Sequence, residues 1–258
     1  MEQNIGPSSE TFLVVPCYNE AARLDLEKFR NFAAENSDVR FLFVNDGSTD
    51  ETSEVLKTLS ASRPESFLVH ELPENSGKAE AVRMGFLQAI ELKPAYIGFW
   101  DADLSTPLEE LKSMLTVFQQ HAQVEMVFGS RVNLLGRQVR RKLYRHYLGR
   151  VFATAVARAL GLGIYDTQCG AKLFRTNDRL PKLFREPFIS KWIFDVEIIA
   201  RSIQLRSADN LPPVNEVIYE QPLMCWTDVA GSKLRFRDFF VVYSDFLRIY
   251  RRYMWRGW

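Results

Sequence analysis

The chain has 258 residues, 47 % of them hydrophobic and 25 % charged, which suits a folded domain with a sizeable core and excludes a mostly disordered chain. The net charge of +1 hides a segregation: residues 126–165 hold eight Arg or Lys and no Asp or Glu, and residues 231–258 hold seven basic and two acidic side chains. Such segments point to anionic partners, whether phosphates, anionic lipid or nucleic acid.

The first half reads as alternating strands and helices. Phe12–Pro16 is a continuous apolar run, hence a buried strand, and Ala21–Glu35 follows as a helix. Arg40–Val44 is a second strand. Ser48-Thr49-Asp50-Glu51 has capping-box spacing and is expected to open a helix through about Ser60. Phe67–Glu71, Tyr96–Trp100 and Glu125–Gly129 are further strands, with helices over Ser76–Glu91 and Pro107–Gln120 between them. Strands without polar alternation, separated by helices, predict an α/β fold with a mostly parallel sheet covered on both faces. Ligands of such sheets bind at the carboxyl ends of the strands.

The second half breaks the rhythm. Arg137–Leu160 reads as one long helix: Leu143, Tyr147, Val151, Ala155 and Ala159 recur every four residues, beside Leu148, Phe152, Val156 and Leu160. A short strand over Lys172–Phe174, a helix from about Asp195, a strand over Val214–Tyr219 and a helical tail over Phe236–Tyr253 complete the reading. The expected organisation is one domain over residues 1–230, with an acceptor-side helix at about 137–160, and a basic aromatic tail over residues 231–258.

Cys17, Cys169 and Cys225 are odd in number, far apart and without a CxxC, which argues against a disulfide framework or a zinc site and for buried thiols in a reducing compartment. No apolar run approaches the ~20 residues of a membrane-spanning helix, and residues 1–10 lack a signal-peptide pattern. The expectation is a cytoplasmic protein whose membrane contact, if any, is peripheral.

Polar and acidic residues collect at the predicted strand ends: Pro16-Cys17-Tyr18-Asn19-Glu20, Asn45-Asp46-Gly47-Ser48-Thr49-Asp50 and Asp101-Ala102-Asp103. Asp101 and Asp103 are alternate residues at a turn, where two carboxylates would repel unless a hard divalent ion joined them, and that ion would also bridge a diphosphate. An isolated Asp-x-Asp is equally common in surface turns, and Ser48 or Asp50 reads equally as a helix cap.

These motifs, with Asn75-Ser76-Gly77-Lys78 in order between them, resemble family 2 glycosyltransferases. Gly129-Ser130-Arg131, Asp166–Phe174, Trp192–Glu197 and Gly231-Ser232-Lys233-Leu234 are similar to the dolichyl-phosphate beta-glucosyltransferase branch, so the resemblance spans residues 10 to 235. It implies a GT-A-type domain that transfers a hexose, glucose favoured, with inversion from a UDP-sugar, GDP-sugars second, to a polyprenyl or dolichyl phosphate at the membrane surface. Pro16, Tyr18, Glu20 and Asp46 would line the nucleoside pocket, with Asp46 accepting from the base. Asp101, Ala102 and Lys78 would complete the donor site, Lys78 at a helix start that favours phosphate. Asp103 would be the main ligand of a Mg²⁺ or Mn²⁺ ion, helped by Asp101 and Asp166. Arg131, Arg137, Arg140 and Arg141 would hold the acceptor phosphate, Asp166 would complete the metal site or orient the acceptor, and Asp195 would orient an arginine or a sugar hydroxyl, though Asp195 and Glu197 read equally as a helix cap or a buried ion pair. Gln168 and Trp192 are candidates to touch the sugar, and Trp192 reads equally as core.

The basic helix and the tail suit the headgroup zone of a membrane; packing on the core or on a second copy of the chain is the alternative. A mannose or N-acetylglucosamine donor, or a non-lipid acceptor, is the runner-up reading. A nucleic-acid-binding module is disfavoured, because no reading motif is present and acidic strand ends repel phosphates without a metal.

Overall fold

The computed structural model describes residues 10–140, 143–229 and 238–255, with the side chains of residue 140, residues 143–148 and residues 238–240 outside that description. The chain divides into two compact units, Met1–Leu104 with Leu173–Arg185, and Ser105–Lys172 with Glu186–Trp258.

In the first unit the strands are β1 (Thr11–Cys17), β2 (Val39–Asp46), β3 (Phe67–Leu72) and β4 (Tyr96–Trp100), in the order β3-β2-β1-β4, with the end of β7 (Ala171–Arg175) next in line. β1 pairs parallel with β2 and β4, and β2 with β3, in registers that set Cys17 against Asn45 and Val14 against Phe99. The carboxyl ends of three strands therefore lie side by side. Strand parity assigns the helices to faces. Phe29 of α1 (Leu26–Glu35) packs edge-on at 5.2 and 5.1 Å against Phe41 and Phe43 on one face. Gly85 of α3 (Lys78–Glu91) sits against Val14 and Val44 on the other. α2 (Thr52–Ser62) and α6 (Leu180–Phe184) complete this unit, and Phe184 stacks on Phe86 of α3 at 4.0 Å.

α1 starts later than expected because residues Ala21–Arg23 turn first and Asp25 caps the helix, accepting from the Lys28 N–H at 3.2 Å. The capping-box reading also fails: Glu51 precedes α2 without a side-chain cap bond. Ser48 instead accepts from the Asn19 N–H at 3.0 Å, and Asp50 accepts from the N–H groups of Thr52 and Ala21 at 3.1 and 3.3 Å. The side chains that could have capped a helix stitch the β1 and β2 loops together.

The second unit holds α4 (Glu110–Gln120), β5 (Met126–Ser130) and β8 (Ile218–Pro222), with β5 between β7 and β8 and paired parallel to β8. The single long helix expected over Arg137–Leu160 is instead β6 (Gln138–Arg140) followed by α5 (Leu143–Leu160). β6 is drawn out of helix by a partner remote in sequence, β9 (Cys225–Thr227), in parallel register, and Glu110 fixes β9 by accepting from the Cys225 N–H at 2.8 Å. Among the described side chains of α5, Val156 and Leu160 are buried while Val151 and Ala155 are exposed, so of the two four-residue rows it is the one through Val156 and Leu160 that faces the core. The strand expected at Val214–Tyr219 divides into a 3-10 turn over Val214–Glu216, following Pro212-Pro213, and then β8.

α7 (Phe194–Ala208) is buried along much of its length. α8 (Asp238–Tyr253), expected as a separate tail, packs on it: Ile249 is buried, Gln204 donates to the Tyr253 carbonyl at 3.0 Å, and the Tyr253 hydroxyl donates to Glu197 at 2.9 Å. Glu197 also accepts from Arg201 at 2.8 Å, within a buried polar network. No helix among the described residues is long and apolar enough to cross a membrane.

Gly85 gives a direct test of the packing. An added Cβ would lie 2.3 Å from the buried Val14 Cγ1. Helix propensity alone would make Gly85→Ala stabilising by about 1 kcal/mol, whereas overpacking costs about 1–3 kcal/mol. The net effect expected in denaturant unfolding is a loss of stability; a gain would mean that α3 packs less closely on β1.

Candidate functional site

At the end of β1, Pro16, Tyr18 and Asn19 are part-exposed, and Asn19 adopts φ 51°. Glu20 is buried and forms a close ion pair with Arg23, Nε to Oε2 at 2.9 Å and Nη2 to Oε1 at 2.6 Å. Hydrogen bonding to Glu20 raises Arg23 above its ordinary pKa, and the nearby charge of Asp103 adds to the effect. The i,i+3 spacing of Glu20 and Arg23 is the sequence signal for this pair, and the arginine was missed.

At the end of β2, Asp46 is buried and accepts from the backbone N–H groups of Ser76 and Gly77, both at 2.8 Å, and from the Asn75 amide at 3.0 Å. Its acceptor sites thus hold the segment leading into α3, and a base N–H would have to share them. Gly47 next to it has φ +60°, and a Cβ there would meet the Glu74 carbonyl carbon at 2.4 Å, so only glycine fits this turn.

α3 then begins with Lys78, whose ammonium forms an ion pair with Asp101 at the end of β4 and lies 5.8 Å from the Phe99 ring centroid. Ala102 is buried, Asp103 is part-exposed, and the chain turns at Leu104, φ 50°, whose N–H reaches the Asp101 carbonyl at 3.1 Å. The first unit therefore brings together the expected donor-site residues Lys78 and Asp101, with Asp103 two residues on. Among the described residues no group of three or more His, Cys, Asp or Glu could hold a metal ion. The hard oxygens of Asp101 and Asp103 fit a Mg²⁺ or Mn²⁺ ion that completes its shell with diphosphate oxygens and water, and do not make an all-protein cage.

The second unit carries the other expected residues. Arg131, just after β5, grips Asp166 through Nε to Oδ2 at 2.6 Å, Nη2 to Oδ1 at 2.8 Å and its own backbone N–H at 3.1 Å. The Gln168 N–H also donates to Asp166, at 3.1 Å. Burial alone would raise the Asp166 pKa; the Arg131 charge and hydrogen bonds overcome it and hold the carboxyl well below the usual carboxylate range. A metal would have to compete with the guanidinium for both Asp166 oxygens. Arg131 also lies 5.4 Å from the Trp226 ring centroid.

Glu220 of β8, unnoticed in the sequence, accepts from the N–H groups of Tyr165 and Asp166 at 2.7 and 2.8 Å. Burial pushes its own carboxyl pKa up, against those hydrogen bonds. Nothing in Ile218–Pro222 marked it, because its role depends on a loop more than 50 residues away.

Lys172, also unnoticed, is fully buried; its ammonium reaches the Cys169 carbonyl at 2.5 Å and Asp195 at 2.6 Å and lies 5.0 Å from the Phe128 ring centroid. Asp195 therefore forms a buried ion pair with a lysine, the structural role weighed in the sequence beside the orienting of an arginine or a sugar. Burial pushes the Cys169 thiol pKa up. Gln168 and Trp192 are part-exposed. Arg137 donates to the Pro222 carbonyl. The Arg140 side chain, Arg141 and Gly231–Leu234 lie outside the described residues.

The model of the family described as "Glycosyl transferase family 2" matches residues 12–179. The chain belongs to glycosyl transferase family 2. It is 34 % identical over 271 residues to a dolichyl-phosphate beta-glucosyltransferase of Drosophila melanogaster, covering 98 % of this chain and 78 % of the relative. A human protein of the same name is 31 % identical, with 98 % and 78 % covered, and one of Saccharomyces cerevisiae is 30 % identical, with 87 % and 70 % covered. Among solved structures, glucosyl-3-phosphoglycerate synthase of Mycobacterium tuberculosis superposes with TM-score 0.66 at 15 % identity, over 95 % of this chain and 80 % of that one. That likeness is one of fold, the GT-A type expected from the sequence. The chain is accordingly a glycosyltransferase.

The Asp166–Arg131 pair predicts a specific pH signature. A lowered folded-state pKa stabilises fully above the unfolded carboxyl value of about 3.9 and is lost as pH falls through the folded value. Asp166→Asn should cost about 3–5 kcal/mol near neutrality by leaving the arginine without its partner. The cost should shrink below about pH 4, where the carboxyl of the unfolded chain begins to protonate while Arg131 still keeps the folded one ionised. Unfolding curves across pH test this; a cost independent of pH would contradict it.

Proposed function

We propose that this protein transfers glucose from UDP-glucose to a polyprenyl phosphate of the dolichyl type, with a divalent metal, at the cytoplasmic face of a membrane. The acceptor and sugar rest on relatives from animals and yeast that share one activity name at 30–34 % identity. The observation that carries the donor site is the Lys78–Asp101 pair with Asp103 beyond it, at the carboxyl ends of parallel strands. Glucosyl-3-phosphoglycerate synthase of Mycobacterium tuberculosis, similar in fold, has been solved with Mn²⁺ and UDP-glucose.

Asp101 and Asp103 would hold the metal, which when bound neutralises charge on the diphosphate. Lys78, at the α3 N-terminus, adds positive charge for the same diphosphate. Pro16, Tyr18 and Glu20 would border the nucleoside, and Asp46 would shape that pocket through the α3 approach. Arg131, oriented by Asp166, would receive the acceptor phosphate, with Arg137, Arg140 and Arg141 as further cations. An anionic phosphate oxygen forms the new bond to the anomeric carbon as the bond to the UDP oxygen breaks on the opposite side, inverting the centre. No proton needs removing from a phosphate already ionised near neutrality, so positioning replaces a strong base.

Transfer from a panel of labelled UDP- and GDP-sugars to a short polyprenyl phosphate, with Mg²⁺, Mn²⁺ or EDTA, tests the proposal. Metal-dependent product from UDP-glucose is the expected result. Product from another donor, or transfer only to a non-lipid acceptor, would replace it with the corresponding family 2 activity. Asp103→Asn should lower transfer by roughly 100-fold or more, as loss of several kcal/mol of charge stabilisation requires; ordinary turnover would remove Asp103 from the metal site.

A further inference from the structure

α8 has two different sides. The inner side is fixed to its own unit: Ile249, Met254 and Asp245 are buried, Tyr253 bonds Glu197, and Phe246 lies edge-on to Phe152 of α5 at 6.1 Å. The outer side is solvent-facing and mixes apolar side chains with arginines. Tyr243 is 64 % exposed, Leu247 37 % and Trp255, just beyond the helix, 71 %. Tyr243, Leu247 and Arg251 are spaced in fours and form one stripe of the helix, and Trp255 follows in the turn beyond it, its ring centroid 6.3 Å from that of Tyr250. Arg252 and Arg248 are also exposed. The acid in residues 241–255 is Asp245, which is buried and pairs with Arg248 at 3.3 Å.

We propose that this outer side of α8 is a docking surface for an anionic lipid bilayer. The proposal rests on the lipid-acceptor reading above and deepens it by naming the surface that meets the membrane. Burying aromatic and aliphatic side chains at the acyl boundary, with arginines among the headgroups, uses both chemistries of the stripe. The arginines select an anionic over a neutral surface. A second copy of the chain fits less well, because a two-fold contact through this face would bring the same arginines together. The inner side anchors the helix to α7, so docking requires no unfolding of the unit.

The test is co-sedimentation of the full chain with vesicles of phosphatidylcholine alone and of phosphatidylcholine mixed with phosphatidylglycerol. Binding to the mixed vesicles and little to the neutral ones is expected. Arg251→Glu with Arg252→Glu should weaken it on the order of 10- to 100-fold, and Leu247→Ser with Trp255→Ser should weaken it comparably, with circular dichroism unchanged. All variants should keep wild-type transfer to a short polyprenyl phosphate in detergent, an assay that reads the proposed function separately. A wild-type chain that binds neither vesicle, variants that bind as well as wild type, or a solution dimer dissolved by these substitutions would overturn the proposal.

Discussion

The first unit is organised around one buried carboxylate. Asp46 ends β2 and accepts the N–H groups of Ser76 and Gly77 together with the Asn75 amide, so three donors that would otherwise need water are satisfied by one side chain. Gly47 makes the turn that permits this approach, since a Cβ there would collide with the backbone of Glu74 and Asn75. The consequence appears one residue beyond Gly77. α3 begins there, and Lys78 meets Asp101. Asp46 thus sets where Lys78, the proposed cation for a diphosphate, meets Asp101, one of the proposed metal-binding acids.

The second unit uses the same device, a carboxylate that holds backbone N–H groups. Glu220 holds the backbone of Tyr165 and Asp166, and Asp166 holds Arg131 from three directions. Buried ion pairs of this kind add little net stability, because desolvation offsets most of the attraction. Their effect is to fix where a guanidinium points. In the proposed reaction, which needs no strong base, such a fixed cation would serve to hold the attacking phosphate. The Lys172–Asp195 pair, beside the Phe128 ring, extends the pattern into the core.

Local patterns made the first unit legible. Apolar runs located all four of its early strands, and the polar clusters at their ends located Glu20, Asp46, Asp101 and Asp103. Where reading failed, the deciding contact was remote. Gln138–Arg140 has helical neighbours in sequence but pairs with Cys225–Thr227. Ser48 has cap spacing but serves Asn19, and Asp50 takes the first N–H of α2, from Thr52, while also reaching across to Ala21. Glu220 and Lys172 carry no local signal, since a carboxylate serving a distant backbone and a buried lysine beside an aromatic ring both depend on tertiary structure. The tail was legible as amphipathic, though only its packing on α7 separates the inner side from the outer.

The proposed transfer requires that the strand-end carboxylates take a nucleoside diphosphate through a divalent ion. Calorimetric titration of UDP into the protein, with Mn²⁺ and then with EDTA, for wild type and Asp103→Asn, addresses it directly. Binding that requires Mn²⁺ and disappears in Asp103→Asn is the result predicted. Binding of equal strength in EDTA, or unchanged by the substitution, would contradict it.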